Sequence, residues 1–312
     1  MRDARIGVIG ATGAVGAVVL ELLRERGYEN IRAFASARSA GTRLADGSVV
    51  EEATSEALSA GDLDLCLFSV GTGASRELVP HAVRGGAVCV DKSAAFRLES
   101  GIPLVVPEVN GDRALEHKGV LANPNCCAIP LALVLKPLHD AAGLRAVRVA
   151  TYQSASGAGA QRLQRLLDEP QAEHDLAMDW DYDGEEFEEE SKLREETRKI
   201  LELPELPVSA TCIRVPVPVG HAESVWLETE QPLSAAQARE LLARAQSVRV
   251  EEFPTPGQAA GGDEALVGRI RRDPAAENGL SLFIACDNLR KGAALNGIQI
   301  GELVLAGRPV PA

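Results

Sequence analysis

Ile6-Gly7-Val8-Ile9-Gly10-Ala11-Thr12-Gly13-Ala14-Val15-Gly16 decides the fold. Ile6 to Ile9 reads as a short apolar strand, and Val15, Val18, Val19, Leu22 and Leu23 then keep helical spacing until Gly27 closes the helix. A strand, a glycine turn and a helix in that order form a phosphate cradle. Glycines let a pyrophosphate approach the backbone, and the helix N-terminus offers amides and a partial positive charge. The spacing is G-x-x-G-x-x-G, which nominates Gly10, Thr12, Gly13, Ala14, Val15 and Gly16 as cofactor contacts.

Working outward, the next strand, Ile31 to Ala35, runs into Ser36-Ala37-Arg38-Ser39. A dinucleotide site that prefers NAD offers an acidic residue there to the ribose hydroxyl. Ser36, Arg38 and Ser39 suit a 2'-phosphate, so NADP is the expected cofactor. Leu63 to Val70 and Ala87 to Val90 are further apolar runs of the kind found in parallel strands buried on both faces. Beyond Leu144 the pattern changes. Strand-like runs at 145–152, 211–217, 224–229, 248–252, 266–271 and 280–286 alternate with helical pieces at 161–167 and 185–201, which predicts a largely antiparallel α+β domain. A final helix, broken only mildly by Gly292 and Gly297, carries Leu289, Ala293, Ile300 and Leu303.

The chemistry points to Asn123-Pro124-Asn125-Cys126-Cys127-Ala128-Ile129-Pro130. Pro130 is tolerated only in the first turn of a helix, and Leu131, Val134, Leu135 and Leu138 continue at helical spacing. Cys126 therefore sits at or just before a helix N-terminus, where the macrodipole favours thiolate. It also follows a strand end, the edge on which doubly wound sheets place ligands.

Bulk properties narrow the function. A chain of 312 residues, 46% hydrophobic, has material for two domains. The chain shows neither a run of eighteen apolar residues nor a signal-peptide core, so no membrane role and a cytoplasmic location are expected. The six cysteines lack metal-ligand spacing and read as thiols; no metal is expected. The net charge of -13 is concentrated in 168–196, where 14 acidic residues face two basic ones. Such a run usually marks a solvated face, and with no basic patch nucleic acid is not an expected partner.

Taken together, Gly-Ala-Thr-Gly-Ala-Val-Gly at 10–16, Asn-Pro-Asn-Cys at 123–126, Thr-Tyr-Gln at 151–153, Ser-Gly-Ala-Gly at 156–159, Glu-Thr-Arg-Lys-Ile-Leu at 196–201, Arg-Val-Pro-Val at 214–217 with Gly220-His221, and Asp-Asn-Leu-Arg-Lys-Gly-Ala-Ala-Leu-Asn at 287–296 resemble the aspartate-β-semialdehyde dehydrogenase family. The resemblance implies an α/β Rossmann-like dinucleotide-binding domain, 1–126 with 289–312, and an α+β catalytic and dimerisation domain with a mainly antiparallel sheet, 127–288. It implies an NADP-dependent interconversion of β-aspartyl phosphate with aspartate β-semialdehyde and phosphate, in a homodimer or dimer of dimers.

Residue by residue, the resemblance makes Cys126 the nucleophile, His221 its acid/base partner and Gln153 the amide that orients the intermediate. Arg214 would hold the substrate α-carboxylate, with Glu189, Lys192, Arg97 and Asn125 as further substrate contacts. Ser156, Gly157 and Asn288 join the cofactor set. Two departures stand out: Cys127 replaces a common Ser or Thr, and Ala222 replaces a common Ser. The segment 176–188 also differs from the patterns of well-known relatives. The competing readings are a reductase of N-acetylglutamyl phosphate, which needs no group for a free α-amine, and a non-catalytic paralogue serving as a structural or regulatory subunit.

Overall fold

The computed structural model describes residues 2–171 and 175–307. Residues 172–174 of the acidic stretch and 308–312 of the expected final segment therefore lie outside the described residues. Two compact units emerge, one of residues up to Pro124 and from Ala293 onward, the other Asn125–Gly292.

In the first unit β1 (Ile6–Ile9), β2 (Ile31–Ala35), β3 (Glu51–Glu52), β4 (Leu65–Phe68), β5 (Val88–Asp91) and β6 (Val120–Ala122) form an all-parallel sheet in the order β3-β2-β1-β4-β5-β6. Every residue of β1, β4 and β5 is buried, because alternate side chains feed two cores on opposite faces. Ile6, Val8, Leu65, Leu67 and Val90 pack with Leu20 and Leu23 of α1 (Ala14–Glu25) and with Ile298 and Val304 of the last helix (Leu295–Gly307). Ile9, Phe34, Cys66, Phe68 and Cys89 pack with Val79 of α2 (Thr72–Arg84). Strand order reverses between β1 and β4, and ligands of doubly wound sheets bind at the carboxyl ends of strands at such a switch point.

The second unit holds β7 (Leu144–Gln153), β8 (Val208–Arg214), β9 (His221–Thr229), β10 (Val248–Val250), β11 (Ala265–Arg272) and β12 (Gly279–Cys286), in the order β10-β11-β12-β9-β7-β8. The three central pairings are antiparallel, while β10 with β11 and β7 with β8 are parallel, so the sheet is mixed but mostly antiparallel. The parallel pair β7 and β8 requires a long crossover, which carries α4 (Ala160–Asp168) and α5 (Glu188–Leu201). The helix after Cys126, named α3 here although it precedes these in the chain, spans Ala128–Ala142 and packs on β7, β9, β11 and β12.

The outer edge of this sheet is occupied. Cys212 N–H donates to Glu190 Oε1 at 2.9 Å, and Arg214 N–H donates to the Ala177 carbonyl at 2.7 Å. The acidic stretch is therefore only partly a solvated face, since Glu189, Glu190 and Glu196 of α5 are buried.

Several elements differ from the sequence reading, and the strand expected at 211–217 lies instead at Val208–Arg214. A helix at Ala235–Arg244 (α6), unanticipated by apolar spacing, is announced by a capping box in which Ser234 accepts from Gln237 N–H while Gln237 accepts from Ser234 N–H. The break expected at Gly292 is a π-helical turn, Arg290–Ala294, and the α-helix itself begins only at Leu295. There Gly292 N–H donates to the carbonyl five residues back, Asp287, at 2.9 Å, and the Asp287 carboxylate accepts from the Leu289 and Arg290 amides. No helix among the described residues is long and apolar enough to cross a membrane.

Candidate active site

In the first unit the glycine turn is dictated by close approach. Gly10 has φ +88°, and a Cβ on it would lie 2.4 Å from the Ser69 carbonyl oxygen. A Cβ on Gly16 would lie 2.1 Å from the Gly10 oxygen, so the turn and the first helical turn fit together only as glycines. Gly13 caps α1 with no side-chain hydrogen bond, which leaves the first-turn amides around Ala14, Val15 and Gly16 to a ligand. Thr12 is exposed beside them.

Gly10 and Ala11 N–H both donate to the Phe34 carbonyl at the end of β2, bringing the glycine turn beside Ser36, Arg38 and Ser39. Arg38, in the turn after β2, is exposed and has no ion-pair partner among the described residues, whereas Arg32 on β2 pairs with Glu51 and Asp62. The cradle therefore fits a pyrophosphate, and the free guanidinium fits an additional phosphate. Arg97, also in this unit, is buried, with Nε–H donating to the Asn123 carbonyl at 3.0 Å and Nη2 to the Lys92 carbonyl.

The second unit holds the remaining candidates. Cys126 is partly buried two residues before α3, and its Sγ lies 3.2 Å from His221 Nε2. His221 opens β9 and is almost wholly buried. Its Nδ1 accepts the Ser154 backbone N–H at 3.0 Å, so the neutral ring carries its proton on Nε2, the nitrogen that faces sulfur. That proton makes Nε2 a donor to Cys126. The donor atoms of Cys126, Cys127 and His221 lie within 4.8 Å of one another, but a nitrogen already carrying a proton is spent as a metal ligand.

Asn125 is held at three points. Its N–H donates to Glu196 Oε2 at 2.6 Å, its Nδ2 to Glu189 Oε1 at 2.9 Å, and its Oδ1 accepts from Cys127 N–H at 2.7 Å. Gln153 Nε2 donates to the same Glu189 oxygen at 3.0 Å. Glu189 thus joins the loop before the thiol to the end of β7. Lys192 lies on the same helix, but its ammonium pairs with Glu188 at 2.6 Å rather than with Glu189.

Arg214 ends β8 beside Gln153, its register partner. Its Nη1 donates to the Ser154 carbonyl at 3.1 Å. One residue, Ser154, therefore sets both the histidine through its N–H and the arginine through its C=O. Ser154 and Ser156 hydroxyls donate to Asn288 Oδ1, which also accepts Gly220 N–H at 2.9 Å, so Asn288 braces the turn preceding His221. Gly157 packs between Arg214 and His221.

Behind the thiol, Glu223 faces inward two residues beyond His221 on β9, fully buried, and among the described residues neither carboxyl oxygen has a hydrogen-bond partner. Burial first, and the neighbouring Cys126 second, hold its carboxyl well above the usual carboxylate range, partly offset by the Cys127 thiol. Burial likewise pushes the Cys127 thiol well up, with the Cys126 sulfur adding to it. Cys127 accordingly sits as a neutral thiol beside the partly exposed Cys126.

Sequence reading did not single out Ser154, Asp179, Glu196 or Glu223 as site residues. Glu196 left a readable signal, because Glu189, Leu193, Glu196 and Ile200 occupy one helical stripe and are all buried. A carboxylate on an otherwise inward stripe must meet donors.

The chain is similar to proteins of one family along nearly its whole length. Residues 5–117 match the family model described as semialdehyde dehydrogenase, NAD binding domain, and residues 135–291 match semialdehyde dehydrogenase, dimerisation domain. An aspartate-semialdehyde dehydrogenase of Streptomyces akiyoshiensis is 44% identical over 97% of this chain and 98% of its own length. The crystal structure of aspartate semialdehyde dehydrogenase II from Vibrio cholerae, complexed with ASA, is 36% identical with a TM-score of 0.93, covering 98% of this chain and 99% of that one. The Candida albicans enzyme with NADP is 26% identical with a TM-score of 0.79, covering 97% and 99%. The chain belongs to the aspartate-semialdehyde dehydrogenase family.

Proposed function

We propose that this chain interconverts β-aspartyl phosphate with L-aspartate β-semialdehyde and phosphate, using NADP, in the biosynthetic route to lysine, methionine and threonine. The observation that carries the reading is the Cys126 and His221 pair at 3.2 Å, with the ring nitrogen remote from sulfur fixed by Ser154 N–H.

In the reducing direction Cys126 sulfur attacks the acyl carbon, the carbon to phosphate-oxygen bond breaks, and phosphate leaves with the electron pair. The nicotinamide, when bound, supplies the hydride that the thioester carbon accepts. The carbon to sulfur bond then breaks, returning its electron pair to Cys126. Negative charge rests on sulfur before attack and after release, and His221 Nε2–H is placed to donate to it at both moments. Arg214 is assigned to the substrate α-carboxylate, and Glu189, with Asn125 and Gln153 bonded to it, to orienting the bound substrate. Arg97 and Lys192 are assigned to phosphate. The glycine turn with Ser36, Arg38 and Ser39 is assigned to NADP, as are Ser156, Gly157 and Asn288.

We further infer a homodimer formed through the outward face of the second sheet, where Tyr152, Ile213, Trp226 and Phe283 are half-buried rather than covered. Trp226→Glu should convert the dimer to monomer in sedimentation. Six free thiols suit a reducing cytoplasm, where we place the reaction.

The deciding experiment follows NADPH formation from aspartate semialdehyde and phosphate, beside the N-acetylglutamate semialdehyde reaction. Cys126→Ala should abolish turnover while NADP binding survives. Turnover of the acetylated five-carbon substrate alone would overturn the assignment, and no turnover of either would favour a non-catalytic paralogue.

A further inference from the structure

Within the segment 176–188, Ala177 to Trp180 lie against Arg214. Ala177 pairs with Arg214 in a two-way backbone bridge, its N–H donating at 3.0 Å and its carbonyl accepting at 2.7 Å. That bridge delivers the next two side chains that follow Met178 to the guanidinium. Asp179 Oδ1 accepts from Arg214 Nε at 3.3 Å and Nη2 at 3.1 Å, and its Oδ2 accepts from Arg162 Nη1 at 3.1 Å. Trp180 lies face-on, with the guanidinium carbon 4.7 Å from its ring centroid.

A guanidinium has five N–H groups. Asp179 takes the edge made by Nε and Nη2, and the Ser154 carbonyl takes one hydrogen of Nη1. One hydrogen remains on each terminal nitrogen for a ligand, and a guanidinium is suited to hold a carboxylate. Arg214 is almost wholly buried, so without Asp179 its charge and its plane would both lose their restraint.

We infer that Asp179 is a positioning residue that, with Trp180, locks the Arg214 guanidinium so that its free edge meets the α-carboxylate of the amino-acid substrate. This rests on the assignment of that carboxylate to Arg214. Asp179 acts through Arg214 and needs no contact with the reacting atoms.

The test is steady-state kinetics of the full-length enzyme with aspartate semialdehyde, phosphate and NADP. Asp179→Ala should raise KM for the semialdehyde about tenfold, as expected for losing a hydrogen bond to a charged group. It should leave kcat within about twofold and KM for phosphate unchanged. Asp179→Asn keeps an accepting oxygen and should recover most of the loss, which also serves if the alanine variant folds poorly. Trp180→Ala should raise the same KM and Trp180→Phe should not. An unchanged or lowered KM in Asp179→Ala would overturn the inference, and a lowered one would identify Asp179 as a competing carboxylate. Arg214→Ala separates the two assignments. If it leaves KM unchanged, the carboxylate anchor is wrong; if it raises KM and Asp179→Ala then adds a further increase in that background, Asp179 does not act through Arg214.

Discussion

Gly157 and His221 are packed so closely that a Cβ at position 157 would lie 2.9 Å from Cε1 of the ring, and equally close to Nη1 of Arg214. Neither neighbour can yield freely, because Ser154 holds one by its N–H and the other by its carbonyl.

Gly157→Ala should therefore lower kcat/KM about a hundredfold, since a shift near 1 Å at a positioned catalytic group costs on that order. Steady-state assays check the rate. A melting temperature close to that of the parent protein would show that the loss lies in the site rather than in the fold.

Glu223→Gln tests the buried carboxyl. A carboxyl held neutral in the fold but free to ionise in the unfolded chain contributes most below its ordinary value of 4.5, and that contribution is lost as pH rises toward the folded value. Each pH unit in that window costs about 1.4 kcal/mol. The glutamine variant should thus gain stability relative to the parent as pH rises above the ordinary carboxyl value of 4.5, read by thermal melts across pH. A parallel pH dependence in the two proteins would sink the idea that Glu223 is folded in as a neutral acid.

Arg38→Ala should raise KM for NADP at least tenfold while changing KM for NAD little, because only the former carries the 2'-phosphate. Comparing the two cofactors in one assay measures the switch directly.

Glu196→Gln should cost about 2 kcal/mol, the scale of a hydrogen bond between a backbone amide and a charged acceptor. The Asn125 amide 2.6 Å away loses its charged partner, so the loop before Cys126 should loosen and kcat should fall together with the melting temperature.

How far the sequence carried the reading depended on whether chemistry was local. The glycine turn and the six strands of the second sheet were legible, because close backbone approach and apolar alternation are properties of neighbouring residues. Cys126 before a helix start was legible for the same reason, through Pro130. The parallel pairing of β7 with β8 was not, since its crossover leaves no mark on either strand. Ser154 escaped notice because it holds His221 and Arg214 through a backbone amide and carbonyl that any residue type supplies. The acidic stretch misled in a specific way: composition counts charges, whereas burial of Glu189, Glu190 and Glu196 depends on which turn of α5 each occupies.

Glu190 gives that stretch another significance. β8 ends the second sheet, and an unpaired edge strand is a template on which another chain can add. Here the outward amides of Cys212 and Arg214 are already taken, one by a glutamate and one by the Ala177 carbonyl. The surrounding negative charge would further repel an approaching strand. The opposite edge, β10, is only three residues long. The acidic segment therefore guards the sheet against fibre-like growth, and a chain trimmed of residues 175–190 should precipitate well before it loses its secondary structure.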